Sequence, residues 1–170
     1  NNETCNSYNM SKLTQYLFLT TGDIKYADYY DRVHINEILA SINPETAMTT
    51  YFKAMGTGFF KVFSSETNHF WCCTGTGMEN FTRLNDSVYF HDAKDLWLTY
   101  YVSSTLNWKE RGLTLTQTAD LPLSDKVTVT INTAPAEAMA LKFRKPYWTA
   151  TCQVGITVNG QAVNATESGG

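Results

Sequence analysis

The sequence lacks the long apolar runs and the positive charge that mark two large classes of protein. It contains no run of about 18 apolar residues, so we expect no membrane span. Its 13 basic residues are outnumbered by 16 acidic ones, so we expect no nucleic-acid partner. It carries no signal-peptide pattern, and it begins with Asn1 instead of Met. We therefore expect that the N-terminal portion of a longer protein is missing, and the sequence carries no prediction of localisation.

Cysteine is also scarce, with four residues in the chain: Cys5, Cys72, Cys73 and Cys152. This number is too small for a disulfide scaffold, and adjacent cysteines such as Cys72 and Cys73 are poorly placed to bridge each other. The C-x-x-C spacing of common zinc sites is missing as well. Metal binding or catalysis and simple burial as free thiols stay open alternatives for the pair. We interpret Cys152 as a packed thiol.

Residues 1–42 predict a helical hairpin. Met10, Leu13 and Leu17 recur at three- and four-residue steps, which indicates an amphipathic helix with an apolar stripe. Gly22 is expected to end this helix in a left-handed conformation, and Asp23 to cap the next one. On the second helix four residues share one face: Ala27, Tyr30, His34 and Ile38.

The remainder of the chain changes from weak periodicity to strand patterns. Glycines interrupt residues 45–84, which predicts short elements and exposed loops. From residue 86 onward apolar and polar residues alternate, and Asn159-Gly160 is a favoured two-residue hairpin turn. Five to seven short strands at this spacing favour an antiparallel β-sandwich. We predict an α+β chain, helical over residues 1–85 and β-rich over residues 86–170.

Four side chains have the chemistry of a zinc site: Glu3, Cys5, Cys72 and Cys73. Zinc accepts thiolates and carboxylate oxygens, usually in a tetrahedral shell. It also lowers the pKa of a thiol, and a thiolate beside a carbohydrate carbon can act as a nucleophile. Because the spacing matches no common zinc signature, the residues alone give only a hypothesis.

Two long stretches resemble the hallmark sequences of glycoside hydrolase family 127 and its close relatives. They are ETCNSYNM at residues 3–10 and FWCCTGTGMEN at residues 70–80. Further similar segments follow in order, including YADYY at 26–30 and STLNWKE at 104–110. The resemblance implies the end of an (α/α)6 helical barrel followed by an antiparallel β-sandwich. It also implies the retaining hydrolysis of terminal L-arabinofuranosides.

The resemblance assigns roles to particular residues. It implies that Glu3, Cys5, Cys72 and Cys73 hold Zn²⁺, and that Cys72 is the nucleophile, forming a thioglycosyl intermediate that water resolves. The family's general acid is a Glu upstream of the first hallmark, so here it would lie before residue 1. We therefore expect this chain alone to be inactive.

The resemblance also points to sugar contacts and partners. Asp31 stands where the family has a sugar-contacting Glu, and Tyr51 stands near a family Tyr beside the substrate. A solvated helix charge and a packed aromatic remain the respective alternatives. The expected partner is an arabinose-containing oligo- or polysaccharide. Apolar helix faces left open by an incomplete barrel are expected to be covered by self-association or by the missing N-terminal portion.

Other polar and aromatic residues are expected to be mostly structural. We interpret His34 as a core histidine, His91 as solvated, and His69 as a weaker candidate for the pocket wall. Glu79 is either a support for the site or a helix-start carboxylate. Trp97, Trp108 and Trp148 are expected in the sandwich core.

Two other readings compete with the glycosidase. In one, the chain is a non-catalytic carbohydrate-binding β-module with a structural zinc or thiol site, which would bind sugar through an exposed Trp. In the other, the chain holds a structural zinc without taking part in catalysis.

Overall fold

The computed structural model describes residues 2–121, 123–149 and 154–168, so Cys152 lies outside the described residues. The chain divides into two compact units, one comprising Asn1–Leu84 with Lys145–Gly170 and the other Asn85–Arg144. Helices and small sheets are both present, which confirms the mixed α+β class. The domain boundary at residue 85 stays a prediction. Among the described residues no helix is long and apolar enough to cross a membrane.

The first unit begins with the helical hairpin that the sequence predicts. Helix α1 spans Thr4–Thr21 and helix α2 spans Ile24–Val33. Gly22 ends α1 in the left-handed region at φ 67°, and the Asp23 side chain accepts a hydrogen bond from the Lys25 backbone N–H. The α2 chain continues as a wider π-helical turn and a short 3-10 turn, over His34–Ile38 and Leu39–Ser41.

The prediction of an apolar buried stripe on α1 is wrong. Leu13 is 48% exposed, and neither Met10 nor Leu17 is buried. The buried face of α1 is mainly polar: Thr4, Ser7, Tyr8, Ser11, Thr14 and Phe18. Small hydroxyls tolerate burial here because they bond to carbonyls of the preceding turn, as the Ser11 hydroxyl does to the Ser7 carbonyl at 2.9 Å. On α2 and the π-helical turn that follows it, in contrast, the predicted face of Ala27, Tyr30, His34 and Ile38 is buried.

Helix α3 spans Cys72–Thr82, where the sequence predicts only short elements and loops. Threonine and glycine are weak helix formers, so local propensity gives little sign of it. The packing of α3 explains it better. The helix lies directly against Thr49, since a Cβ added to Gly77 would meet the Thr49 Cγ2 at 2.3 Å. The close approach between α3 and the 49–52 segment therefore requires glycine at this position.

The second unit is built from two small sheets. The strands are β1 (Tyr89–His91), β2 (Leu96–Leu98), β3 (Ser104–Trp108), β4 (Leu113–Ala119), β5 (Val127–Thr133) and β6 (Leu141–Phe143). One sheet has the order β1-β2-β6, with β6 parallel to β2, and the other is the antiparallel meander β3-β4-β5. A cluster of buried side chains forms the core: Leu96, Leu98, Trp108, Leu113 and Leu115.

Two hairpins are present, and the second forms at the predicted Asn159-Gly160 turn. Strands β1 and β2 pair antiparallel around the 92–95 turn, with Tyr89 opposite Leu98. Strands β7 (Ile156–Val158) and β8 (Gln161–Val163), in the first unit, pair across Asn159 and Gly160. Both turn residues have positive φ, at 52° and 82°, as a type I′ turn requires.

The tryptophans and histidines only partly follow the predictions. Trp108 is buried in the core, but Trp148 is 52% exposed and Trp97 only partly buried beneath Lys142. Core placement is wrong for Trp148 because it lies in a turn after Pro146 instead of in a strand. The buried His34 and the exposed His91 match their predictions.

The glycine at the α3 contact gives the first prediction. Gly77→Ala is expected to lower the free energy of unfolding by about 1–3 kcal/mol, because the new methyl group overlaps Thr49. Gly75→Ala, in the same helix with nothing within 4 Å of its added Cβ, is the matched control. It is expected to stabilise the helix by about 0.5–1 kcal/mol. Urea denaturation of both variants tests this, and equal effects would contradict the packing argument.

Burial of His34 gives a prediction about acid stability. Desolvation lowers the pKa of His34 from 6.5 to about 4. Below pH 6.5 the unfolded chain therefore binds a proton that the folded chain rejects, so stability is full above that pH and falls as pH drops towards 4. The loss approaches about 3 kcal/mol, at ~1.4 kcal/mol per pKa unit.

Denaturation at several pH values is the measurement for His34. His34→Gln is expected to show a shallower loss of stability between pH 6.5 and 4 than the wild type. His91→Gln, at an exposed position, is the control and is expected to leave the pH dependence unchanged. Parallel profiles for wild type and His34→Gln would count against the desolvation account.

Candidate metal centre

Two helix N-termini bring four potential metal ligands together. Glu3 precedes α1 and Cys5 lies in its first turn, while Cys72 and Cys73 begin α3. One ligand atom from each of the four residues lies within 4.8 Å of all the others. The residues named from the sequence therefore converge, although nearly seventy positions separate Cys5 from the pair.

The segment 49–52 connects the two helices at this point. The Thr4 backbone N–H donates to the Tyr51 carbonyl at 3.0 Å, and the Thr4 hydroxyl donates to the Thr50 carbonyl at 2.7 Å. On the other side, the Thr49 hydroxyl donates to the Cys73 carbonyl at 3.3 Å. Thr4, Thr49 and Thr50 are buried, so these bonds are shielded from water.

The two sulfur separations lie on either side of the spacing in a tetrahedral zinc shell. The Cys73 Sγ lies 3.2 Å from the Cys5 Sγ and 4.0 Å from the Cys72 Sγ. Zinc–sulfur bonds of about 2.3 Å in a tetrahedron place sulfurs about 3.8 Å apart. Three thiols and one carboxylate are also a donor set that zinc accepts. The residues present therefore fit the ion that the resemblance implies.

The three thiols differ in exposure and in acidity. Cys72 is exposed, Cys5 is partly exposed, and Cys73 is fully buried. The neighbouring Cys5 thiol, followed by the Tyr51 hydroxyl, lowers the pKa of Cys72. Burial raises the pKa of Cys73 to about 12 and also raises the pKa of Cys5. Of the three, Cys72 thus ionises most readily and is the most accessible from solvent.

One residue that supports the site, Thr76, was not identified from the sequence. The Thr76 Oγ1 lies 3.3 Å from the Cys5 Sγ, and it also lies 3.4 Å from the Cys72 and Cys73 carbonyl oxygens. When Cys5 is a thiolate, the hydroxyl has a charged acceptor for its proton. A helix beginning at Cys72 would have revealed this residue, because position 76 lies one turn further along the same face.

Polar contacts also join α1 to α3 beyond the cysteines. The Tyr8 hydroxyl donates to the Glu79 carboxylate, which raises the pKa of Tyr8. The Arg83 guanidinium lies 5.7 Å from the Tyr8 ring and donates to Gln15 at 2.8 Å. Glu79 lies near the end of α3, so the helix-start interpretation is wrong.

The two predicted sugar contacts lie in different surroundings. The Tyr51 Oη lies 4.0 Å from the Cys72 Sγ, and this sulfur raises the pKa of Tyr51 to about 12. Asp31 is 3% exposed on α2, so the alternative of a solvated helix charge is wrong. The His69 ring lies 5.5 Å from the Trp71 ring, beside the cysteine pair. The roles of Asp31 and Tyr51 in substrate binding stay predictions.

Family models match both parts of the chain. The model of the β-L-arabinofuranosidase GH127 catalytic domain matches residues 1–86. The model of the β-L-arabinofuranosidase GH127 middle domain matches residues 95–170. A search of curated proteins found no match.

Solved structures of longer proteins are similar to this chain. One described as a glycoside hydrolase has a TM-score of 0.82 at 26% identity, covering 99% of this chain and 29% of that one. A GH127 β-arabinofuranosidase has a TM-score of 0.79 at 20% identity, covering 98% and 28%. A GH127 β-L-arabinofuranosidase from Geobacillus stearothermophilus T6 has a TM-score of 0.75 at 20% identity, covering 95% and 27%. This chain thus spans less than a third of each; at 20% identity the last two show the fold alone.

The Thr76 contact predicts a change in metal affinity. Thr76→Val keeps the shape of the side chain but removes the hydrogen bond to Cys5, so zinc binding is expected to weaken by about 10–100-fold. Thr76→Ser is expected to restore most of the affinity. Competition with a chelator of known affinity measures the zinc affinity of each variant. Thr82→Val is the control, because the Thr82 hydroxyl donates to the Glu79 carbonyl within α3. Unchanged affinity in Thr76→Val would contradict the assignment.

Proposed function

The chain belongs to glycoside hydrolase family 127, and on that premise we propose that it forms part of a retaining β-L-arabinofuranosidase with a zinc-bound cysteine nucleophile. Members of this family are glycoside hydrolases. One observation carries the proposal, namely the convergence of Glu3, Cys5, Cys72 and Cys73 from distant segments. In this proposal residues 1–85 complete an (α/α)6 barrel, and residues 86–170 contribute to a β-sandwich.

Zinc has a defined place in this proposal. Glu3, Cys5, Cys72 and Cys73 would hold the ion through one carboxylate and three thiolates. Bound there, zinc keeps the thiols deprotonated near neutral pH. This matters most for Cys73 and Cys5, because burial raises the pKa of both thiols.

The exposure of the pair supports Cys72 as the nucleophile. Cys73 is fully buried and has no path to a sugar, whereas Cys72 is exposed at the start of α3. A thiolate at a helix N-terminus is also favoured by the positive end of the helix dipole. Tyr51 adds a hydroxyl next to the same sulfur. Cys73 and Cys5 then serve as ligands.

The reaction proceeds in two displacements at the anomeric carbon. The Cys72 sulfur attacks that carbon, a C–S bond forms, and the C–O bond to the leaving group breaks. The leaving oxygen takes a proton from a general acid in a part of the full-length protein that this chain does not include. Water then attacks the same carbon and gives a proton to the same group, which now acts as the base, while the C–S bond breaks and Cys72 returns as a thiolate. Two inversions give overall retention.

The substrate in this proposal is a terminal L-arabinofuranoside of an arabinose-containing oligo- or polysaccharide. Tyr51 lies next to the proposed nucleophile, and in this proposal its hydroxyl donates a hydrogen bond to a sugar hydroxyl. Asp31 is the second proposed contact, and its carboxylate can accept hydrogen bonds from sugar hydroxyls.

A second candidate is a non-catalytic carbohydrate-binding protein with a structural zinc. Its support is a pair of exposed aromatics, Tyr147 and Trp148, at 57% and 52% exposure, whose rings lie 5.1 Å apart. In this case Trp148→Ala would lower retention on an arabinan column, and the full-length protein would show no turnover of an arabinofuranoside. The measurement below separates the two candidates.

Zinc content and turnover test the proposal in the full-length protein. Elemental analysis is expected to give about one zinc per chain, with reduced occupancy in Cys72→Ser because one thiolate ligand is lost. Hydrolysis of a methyl β-L-arabinofuranoside is expected to fall by at least about 10³-fold in that variant. Cys152→Ser, at a cysteine with no role in the proposal, is the control.

Two results would contradict the proposal. Turnover retained in Cys72→Ser would exclude Cys72 as the nucleophile. Turnover unaffected by complete chelation of zinc would reduce the metal to a structural role. Metal analysis of the 170-residue chain alone would then show whether the four ligands assemble a binding site without the rest of the protein.

A further inference from the structure

Aromatic rings extend from the candidate nucleophile along the first unit. We define the aromatic platform as Tyr51, Phe52, His69 and Trp71. The Tyr51 ring lies 4.5 Å from Phe52 and 5.9 Å from Trp71, in an edge-on arrangement, and Trp71 lies 5.5 Å from His69. Tyr51 is the member beside the Cys72 sulfur, at 4.0 Å. Tyr51, Trp71 and His69 therefore form a continuous series of neighbouring rings that starts beside the thiol.

The rings of the platform are exposed to solvent, although apolar side chains are normally buried. Phe52 is 54% exposed, His69 is exposed, and Trp71 is partly exposed. Clustered exposed aromatics on a soluble protein commonly mark a ligand surface. Cys72 is exposed at the same place, so a molecule that reaches its sulfur also meets these rings.

The backbone at His69 is held in an unfavourable conformation. His69 has φ 58°, in the left-handed region that side-chain-bearing residues seldom adopt. Such strain is found preferentially at binding and catalytic sites. Here it accompanies the turn into Trp71 and α3, which brings the His69 and Trp71 rings into contact.

We propose that the aromatic platform binds the second sugar ring of the substrate, the ring that carries the leaving oxygen. This rests on the proposed function, because it takes Cys72 as the attacking atom. The C–H face of a sugar ring is apolar and packs on aromatic rings, while its hydroxyl groups remain at the edge in water. A ring beyond the arabinofuranosyl unit meets Trp71 and His69, which lie further along the series than Tyr51.

The platform then sets the preference for the leaving group. An arabinofuranosyl disaccharide gains the contact with Trp71, whereas a methyl arabinofuranoside has no second ring to place there. Binding energy from this remote ring improves the capture and orientation of the disaccharide without touching the anomeric carbon.

The test compares two substrates of the full-length protein. In Trp71→Ala, kcat/KM for a β-linked arabinofuranosyl-arabinose disaccharide is expected to fall on the order of tenfold, the size of a lost aromatic contact. For methyl β-L-arabinofuranoside, which has no second ring, the fall in kcat/KM is expected to be clearly smaller. Trp71→Phe keeps a ring and is expected to retain most of the disaccharide activity. Phe60→Ala, 80% exposed and outside the platform, is the control.

Two further measurements keep the result interpretable. Zinc content of Trp71→Ala shows whether the start of α3 is intact, since the Trp71 carbonyl accepts from the Thr74 N–H at 3.0 Å. Calorimetry on Cys72→Ser, and on Cys72→Ser combined with Trp71→Ala, measures the affinity for the disaccharide in the absence of hydrolysis. The difference between the two variants gives the contribution of Trp71 to binding. Weaker binding in the double variant is expected.

Three outcomes would overturn the platform assignment. Equal losses on both glycosides would mean that Trp71 serves the arabinofuranosyl ring or the helix start. An unchanged kcat/KM on both glycosides would mean that Trp71 does not contact the substrate. Equal disaccharide affinity in the single and double variants would mean the same. If the wild type hydrolyses neither glycoside, the proposed function has failed, and the calorimetric comparison still decides whether the platform binds the disaccharide.

Discussion

The site depends on one physical constraint, the close docking of α1 and α3 against the 49–52 segment. Thr4 at the start of α1 bonds to the Thr50 and Tyr51 carbonyls, and Thr49 bonds to the Cys73 carbonyl at the start of α3. Each bond is short-range and directional, and the threonines are buried, so a shift of either helix would leave a polar group unpaired away from water. The thiols meet because the backbone around them has few other satisfactory arrangements.

Burial then gives adjacent cysteines different chemistry. Cys73 points into the protein and loses its hydration, which opposes the charged thiolate and raises its pKa. Cys72 remains exposed, and its hydrogen bond with the Cys5 thiol lowers its pKa. The consecutive pair therefore combines a shielded ligand position with an accessible reactive position. A metal bound at this point would stabilise both as thiolates, while only Cys72 is exposed to solvent.

The sequence predicted those parts of the fold that local chemistry determines. Gly22, Asp23 and the Asn159-Gly160 turn act through their own backbone conformations or nearest hydrogen bonds, and all appear as expected. The buried face of α1 and the existence of α3 were not predictable in this way. They depend on contacts such as Gly77 against Thr49, which are distant in sequence.

The candidate site shows the same division. Residue chemistry made Glu3, Cys5, Cys72 and Cys73 a hypothesis, and the family resemblance singled them out. Their convergence depends on tertiary packing that spacing does not reveal. Thr76 escaped notice because its relation to Cys5 exists only once α3 is helical. A short helix rich in threonine and glycine gives no periodic signal, since its stability comes from the surface it packs on.

Tyr51 belongs both to the 49–52 segment that holds the two helices and to the surroundings of the Cys72 thiol. Its carbonyl holds the start of α1, its hydroxyl lies beside the Cys72 sulfur, and its ring contacts Phe52 and Trp71. Helix placement, thiol acidity and the aromatic platform thus share one residue, so they are energetically coupled and not additive. Removing the whole side chain would disturb the thiol and the platform together. Only changes that separate the hydroxyl from the ring can assign an effect to the proposed nucleophile or to the proposed sugar contact.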